Sequence, residues 1–329
     1  FIPLTNLCMN RCSYCGFRRD PGDPGAGYWD PERAVRVAVA GEARGATEIL
    51  VSSGDRPEAV HREAALWLRR RGYRSTAEYA ADVEERLLKS TRRALIHTNL
   101  GVLTREEMSM LRPLNASMGL MLESSSPRLM GPGMPHCCSP TKDPRVRLRM
   151  LEEAGSLRIP FTTGILVGIG ETWGERIDSL LAIADLHRRY GHVQEVIIQP
   201  FSPEPRTPMW GSPPPDPLEV AKTVAIARLI FGQSMPLQVP PNIAGPSRAL
   251  VLSSGADDWG GISRLTPDYV NARHPWPSEE ELAREAEAQG MILRARLPIY
   301  PRYLLGGWLP EGLRERALSA ADEEGYARA

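Results

Sequence analysis

Cys8, Cys12 and Cys15 stand at a C-x₃-C-x₂-C spacing directly after the apolar opening Phe1-Ile2-Pro3-Leu4. Three thiolates this close can ligate three irons of a cubane [4Fe–4S] cluster, and no fourth cysteine follows to close the last iron. That iron is left to take a small-molecule ligand. A structural zinc site would close its fourth position instead, and His136, Cys137 or Cys138 could complete one. Three buried thiols without a metal are the remaining reading. The preceding strand and the tight spacing favour a cluster loop, and the adjacent Cys137 and Cys138 are poorly placed to share one metal.

Other residues able to do chemistry fall where short apolar runs end. Ser53-Gly54-Asp55 follows Thr47 to Ser52, His97 and Asn99 end a run from Ala94, and Glu123 ends one from Ala116. Gly168 and Glu171 follow Phe161 to Val167, Gln199 ends a run from Val193, and Asn242 follows Leu237 to Val239. Between these runs lie helical stretches: Asp30-Pro31 to Gly45, Pro57 to Arg71, Ser75 to Ser90, one opening at Thr104, Asp143-Pro144 to Gly155, Thr172 to Tyr190, and Pro217 to Phe231. Capping boxes mark starts at Thr104 with Glu107, Thr172 with Glu175, and Ser278 with Glu281, the last opening a final helix that stops at Gly290. Trp67 lies on an apolar helical face and reads as core, and the histidines other than His97 read as structural.

Strict strand–helix alternation predicts an α/β fold with its parallel sheet closed as a (βα)₈ TIM-type barrel, or a partial barrel whose tail covers one end. An open doubly wound sheet is the alternative. The eighth strand is expected near Leu250 to Ser253 or in Met291-Ile292-Leu293. The barrel core is assigned to 1–255, and 256–329 to an extension that completes the barrel and caps the substrate. Chemistry in a barrel gathers at the C-terminal ends of the strands, where the residues above fall.

Forty basic and forty acidic side chains cancel, so no polyanionic partner such as nucleic acid is indicated, and a small-molecule site is expected. Only Lys89, Lys142 and Lys222 are lysines; the other basic residues are arginines. No run approaches the ~18 apolar residues of a membrane span, and the opening residues do not make a signal peptide. Five cysteines in 329 residues make no disulfide framework, and a thiolate cluster needs a reducing compartment, so the cytoplasm is predicted.

With Tyr14 before the last cysteine, the triplet resembles the C-x₃-C-x-aromatic-C signature of the radical S-adenosylmethionine (SAM) superfamily. The resemblance implies Cys8, Cys12 and Cys15 as cluster ligands, SAM chelated at the open iron, and Tyr14 beside the adenine. Ser53-Gly54-Asp55 resembles the superfamily's Gly-Gly-Glu motif for the SAM amino group, with serine and aspartate as departures, so backbone carbonyls are expected to serve where the Asp55 carboxylate does not. Glu123 stands where the family places a carboxylate for the ribose or amino acid part of SAM, a role that suits an acceptor of hydroxyl donors; a helix cap is its other reading. Gly164 to Glu171 resembles the G-x-I-x-G-x-x-E motif, with Leu166 for isoleucine, and brings the Gly168 and Ile169 backbone close to the adenine.

Beyond these motifs, Phe1 to Phe17, His97 to Asn99, Asn115 to Ser124, Arg158 to Thr172, Gln194 to Phe201, Pro240 to Asn242 and Asp257 to Ser263 resemble one family over nearly the whole chain. It is the small-subunit (subunit 1) family of 7,8-didemethyl-8-hydroxy-5-deazariboflavin (FO) synthases. This implies a radical SAM lyase of coenzyme F-420 biosynthesis. Its substrate would be 5-amino-5-(4-hydroxybenzyl)-6-(D-ribitylimino)-5,6-dihydrouracil, supplied by a partner subunit 2, separate or fused. Ammonia, 5′-deoxyadenosine and methionine are released, and a reducing electron donor is a further partner. Asn99, Gln199, Asn242, Asp257 and Asp258 are then predicted to line the substrate end and read ribityl hydroxyls and uracil amides; each also suits a loop cap. The alternatives are another radical SAM reaction, either the tyrosine-coupling half or a menaquinone-pathway step, and a non-catalytic zinc or iron–sulfur protein.

Overall fold

A computed structural model describes residues 1–328. Seven parallel strands run in chain order across one sheet: β1 (Ile2–Thr5), β2 (Glu48–Ser53), β3 (Leu95–Asn99), β4 (Ser117–Gly119), β5 (Phe161–Val167), β6 (Val193–Pro200) and β7 (Leu237–Gln238). Helices α1 (Pro31–Glu42), α2 (Arg62–Arg70), α3 (Thr76–Ser90), α4 (Arg105–Leu111), α5 (Pro144–Ser156), α6 (Trp173–Tyr190) and α7 (Pro217–Phe231) join them. Both predicted boxes on α4 and α6 form, and Gly191 ends α6 at φ +66°. Two helix bounds shift: Pro57–Ala59 is a separate single turn ahead of α2, and α1 stops at Glu42 before the Gly45 turn.

The eighth strand is absent among the described residues. Arg248–Ser253 forms a helix instead, which buries Val251 and Leu252 in the apolar layer outside β6 and β7. A four-residue apolar run carries no periodicity that separates strand from helix. Ile292 is almost fully exposed, and no strand forms at 291–293. The gap between β7 and β1 is crossed by the chain after this helix. Asp258 makes a parallel bridge to Gln238, the Phe1 amino group donates to Thr266 Oγ1 at 3.2 Å, and the Phe1 and Tyr269 rings meet edge to face at 5.3 Å. The Ser278 cap is also half-formed: its hydroxyl accepts from Glu281 N–H, while the Glu281 carboxylate is drawn to Arg248.

The tail beyond Arg294 packs against the end where strands begin. Arg296 O accepts from the Thr47 hydroxyl before β2, Pro298 O from Ser117 at the start of β4 and from Gln194 on β6, and Tyr303 donates to Val193 O. Leu297 and Ile299 are solvent-free against Leu95. The extension thus has two parts: residues around Asp268 to His274 reach the mouth, where Val270 O lies beside Gly16 of the cysteine loop and Asp268 accepts from Asn242, while the tail beyond Arg294 floors the sheet at the opposite end.

Candidate functional site

Burial along the strands shows which side chains face inward. On β2, Ile49 and Val51 are buried against helices, while Glu48, Leu50 and Ser52 alternate with them and keep partial exposure. The same alternation leaves Ile197 and Gln199 partly exposed on β6, and Asn99 ends β3 beside Ser52. The strands β3 to β5 are almost wholly solvent-free, so the partial exposure is confined to the β2 and β6 sides, where Ser52, Asn99 and Gln199 offer one hydroxyl and two amides at the upper end.

Above it lies the cysteine loop. Cys8 Sγ accepts from Asp55 N–H at 3.2 Å and Asn10 N–H at 3.4 Å, and Cys12 Sγ accepts from the Ser139 hydroxyl at 3.3 Å. Burial, reinforced by the charge of Asp55, pushes the Cys8 thiol up to about 12. Burial and neighbouring Cys12 also raise Cys15. All three thiols are free.

The second-strand motif meets this loop directly. Gly54 N–H donates to Thr5 O at 2.8 Å, and a Cβ at Gly54 would fall 2.0 Å from Leu7 O, which is why only glycine fits. Asp55 turns one carboxylate oxygen toward the Thr141 hydroxyl at 2.5 Å, Val102 N–H at 3.2 Å and Asn10 Nδ2 at 3.4 Å. Its other oxygen, and the Ser53 hydroxyl, are buried without a partner. Such orphaned groups fit a polar ligand that would supply the missing bonds.

Glu123 adopts φ +65°, a left-handed conformation costly for a glutamate, while its backbone continues the ladder to Gly164 and Leu166. Its carboxylate pairs with Lys142 at 2.5 Å, both side chains being 11% exposed. Burial alone would raise this carboxyl, but Lys142 and Arg147 outweigh it and hold it below the usual value. Tyr14 lies in an apolar group with Leu166, Ile169 and Phe201, and its hydroxyl is 3.0 Å from His136 Nε2. Gly168 turns at φ +96°, and the Glu171 carboxylate accepts from both Gly168 and Ile169 N–H, so Glu171 holds the turn.

The structure therefore brings the three cysteines, Tyr14, Ser53, Gly54, Asp55, Glu123, Gly168 and Ile169 to one mouth, with Asn99 and Gln199 in the lumen below. Asn242 sits on the rim, where its Nδ2 is taken by Asp268 at 2.9 Å and its Oδ1 is buried without a partner. Asp257 and Asp258 lie elsewhere. Asp257 pairs with Arg228 at the end of α7, and Asp258 accepts from Arg296 at 2.7 Å and Tyr300 at 2.6 Å at the floor. The chain returns to the strand-start end after Ser253, which removes both from the mouth. Residues not singled out from sequence include Lys142, Asn10, Thr141 and Ser139, together with His61, whose Nε2 lies 3.0 Å from Cys8 O. The rarity of lysine was the available signal for Lys142.

A family model described as the radical SAM superfamily matches residues 2–183. The 7,8-didemethyl-8-hydroxy-5-deazariboflavin synthase of Methanopyrus kandleri is 48% identical over 100% of this chain and 98% of its own. That of Methanosarcina barkeri is 45% identical over 100% and 97%. The FO synthase of Mycobacterium tuberculosis is 44% identical over 98% of this chain, which spans 38% of that longer protein. Among solved structures, the FeFe-hydrogenase maturase HydG of Carboxydothermus hydrogenoformans superimposes with TM-score 0.69 at 23% identity, covering 88% of this chain and 65% of its own. Methylornithine synthase (PylB) gives 0.65 at 17%, covering 89% and 81%. These two speak for the fold alone. With its cysteine mouth and its full-length identity to those synthases, the chain belongs to the radical SAM superfamily and, within it, to the 7,8-didemethyl-8-hydroxy-5-deazariboflavin synthase family.

Proposed function

We propose that this chain forms the deazaflavin of coenzyme F-420 biosynthesis. It converts 5-amino-5-(4-hydroxybenzyl)-6-(D-ribitylimino)-5,6-dihydrouracil to 7,8-didemethyl-8-hydroxy-5-deazariboflavin with release of ammonia. The observation that carries the reading is a three-cysteine loop beside the strand ends that hold Ser52, Asn99 and Gln199, in a chain matched over its length by synthases of that name.

Cys8, Cys12 and Cys15 would hold a [4Fe–4S] cluster, and Tyr14, Ser53, Gly54, Asp55, Glu123, Gly168 and Ile169 would receive SAM. Bound there, the pair supplies a 5′-deoxyadenosyl radical able to take a hydrogen atom from the substrate. The chain's own residues provide confinement and orientation. Leu166, Ile169, Phe201 and Tyr14 form an apolar wall at the mouth, and Leu297 and Ile299 close the strand-start end to solvent. Exclusion of water and stray hydrogen donors is what a radical intermediate requires of its protein. Lys142 fixes Glu123 for hydroxyl donors, while Asn99 and Gln199 offer amide partners to the ribityl chain and uracil.

The coupled intermediate implies a partner subunit 2 that makes it, and the greater length of the mycobacterial FO synthase supports a fused arrangement there. A reducing electron donor is the other partner. Among the described residues no helix is long and apolar enough to cross a membrane, and the thiolate cluster suits a cytoplasmic setting. The reconstituted protein, given the coupled intermediate and SAM under anaerobic reduction, is expected to yield 5′-deoxyadenosine and a fluorescent deazaflavin. Use of tyrosine with ribitylaminouracil in place of the intermediate would overturn the assignment, as would zinc without acid-labile sulfide on metal analysis.

A further inference from the structure

The segment Pro135–Ser139 grips the cysteine loop. Ser13 N–H donates to Pro135 O at 2.9 Å, Arg11 N–H donates to Cys138 O at 3.0 Å and to Ser139 Oγ at 3.1 Å, and the Ser139 hydroxyl donates to Cys12 Sγ. Inside this grip sit two further free thiols. Cys137 and Cys138 are both exposed, and their Sγ atoms are 3.3 Å apart. Nothing in the site described above uses them. Their position is nevertheless close to it, because the carbonyl of Cys138 and the hydroxyl of Ser139 are what hold the backbone and sulfur around Cys12.

We propose that Cys137 and Cys138 form a reversible modification site, a dithiol that closes to a disulfide by exchange with a low-molecular-weight disulfide and in closing loosens the grip on the cysteine loop. One thiolate attacks the small disulfide R–S–S–R and expels the first R–S⁻, leaving a mixed disulfide. The second thiolate attacks the protein sulfur of that adduct and expels the second R–S⁻. The protein dithiol loses two electrons to the small disulfide, and its two protons leave on two R–SH molecules. The exposure of both thiols admits the reagent, and their proximity favours the second displacement over a second adduct.

The structural consequence follows from chain geometry. Adjacent Cα atoms across a trans peptide stand about 3.8 Å apart, short of the ~4.4–6.8 Å that ordinary disulfides span. Closure therefore turns the backbone through Cys138, whose carbonyl accepts from Arg11. A strained, exposed disulfide is also readily reduced, which makes the change reversible.

The cluster-loaded protein is incubated anaerobically with glutathione disulfide, then denatured and alkylated, and the peptide holding both cysteines is weighed. The expected result is a peptide lighter by two hydrogens and free of alkyl groups, restored to a doubly alkylated form by dithiothreitol. Two alkyl groups, or a retained glutathione adduct, would overturn the disulfide. The coupling to the cysteine loop rests on the cluster reading and is followed separately by visible absorption. The cluster band is expected to fade several-fold faster in the oxidised protein than in Cys137→Ser or Cys138→Ser protein given the same treatment. Equal fading rates with the disulfide formed would overturn the coupling and leave the modification site standing.

Discussion

The two ends of this barrel solve opposite problems. At the mouth, buried polar atoms are left unanswered: Ser53 Oγ, one oxygen of Asp55 and Asn242 Oδ1 have no partner, and Glu123 is held in a left-handed conformation. At the floor, Arg296 pairs with Asp258 and reaches one oxygen of Glu195 while the other is buried without a partner, Tyr300 adds a hydrogen bond to Asp258, and Leu297 and Ile299 exclude solvent. Unpaired buried groups cost on the order of 1–3 kcal/mol each, and those at the mouth lie where a polar ligand would repay the loss. The charges of the floor are answered mainly within the chain, by Arg296 and Tyr300 on Asp258.

The largest effect should come from the cysteine loop. Replacing Cys8, Cys12 and Cys15 together by alanine is expected to abolish iron and sulfide binding and all SAM cleavage, while the circular dichroism of the barrel stays. Retained cleavage would break the functional half of the comparison. Next is the floor: Arg296→Met strands Asp258 beside Glu195 and should cost about 3–5 kcal/mol in denaturant unfolding, with iron content of the folded fraction unchanged. Loss of iron at full stability would show that the two ends are not separable.

Gly54→Ala tests the mouth without removing a ligand. Its Cβ would meet Leu7 O at 2.0 Å, so the cysteine loop must move. Overpacking of this kind costs about 1–3 kcal/mol, and the iron bound after reconstitution should fall with it. Wild-type iron content would mean the close approach is slack.

Much of the mouth was legible in the sequence. Cysteine spacing, strand ends and capping boxes each rest on a few neighbouring residues, and local chemistry fixes them. What distance in the chain hides was not legible. Lys142 and Glu123 lie on different loops, His61 reaches Cys8 from ahead of α2, and the return of the chain to the floor placed Asp257 and Asp258 far from the strand end they follow in sequence. The eighth strand failed for another reason: apolar character in Ala249-Leu250-Val251-Leu252 says that the run is buried, and neighbouring packing decides that it is a helix.

Acidity should separate the two ends with opposite signs. Burial pushes the Glu195 carboxyl at the floor up to about 8 against the pull of Arg296. The native state therefore keeps a proton that the unfolded chain releases near the ordinary value of 4.5, and this group lowers stability progressively as pH rises from that value toward about 8. Glu123 at the mouth is held below its usual value. Its contribution is present above the unfolded value near 4.5 and is lost as pH falls through the depressed one. Unfolding free energies across pH should show Glu195→Gln flattening the neutral-side slope and Glu123→Gln flattening the acid-side slope. The same change from both variants would erase the electrostatic contrast.

The smallest effect belongs to Asp257. Its side chain is 43% exposed, pairs with Arg228 at 2.9 Å and accepts from Leu237 N–H at 2.7 Å. Burial raises this carboxyl, but the amide of asparagine keeps an oxygen for Leu237. Arg228, though largely buried, also donates to the carbonyls of Gly255, Gly232 and Met235, so Asp257→Asn leaves no guanidinium unpaired and should shift the unfolding midpoint slightly, with KM and kcat for deazaflavin formation as in the parent. Asn99→Ala, one layer below the cysteine loop, is the matched partner in the lumen: it should raise KM with the cluster spectrum and stability intact. If Asp257→Asn raised KM and Asn99→Ala did not, the substrate would lie toward the floor, and the division of labour between the two ends would have to be reversed.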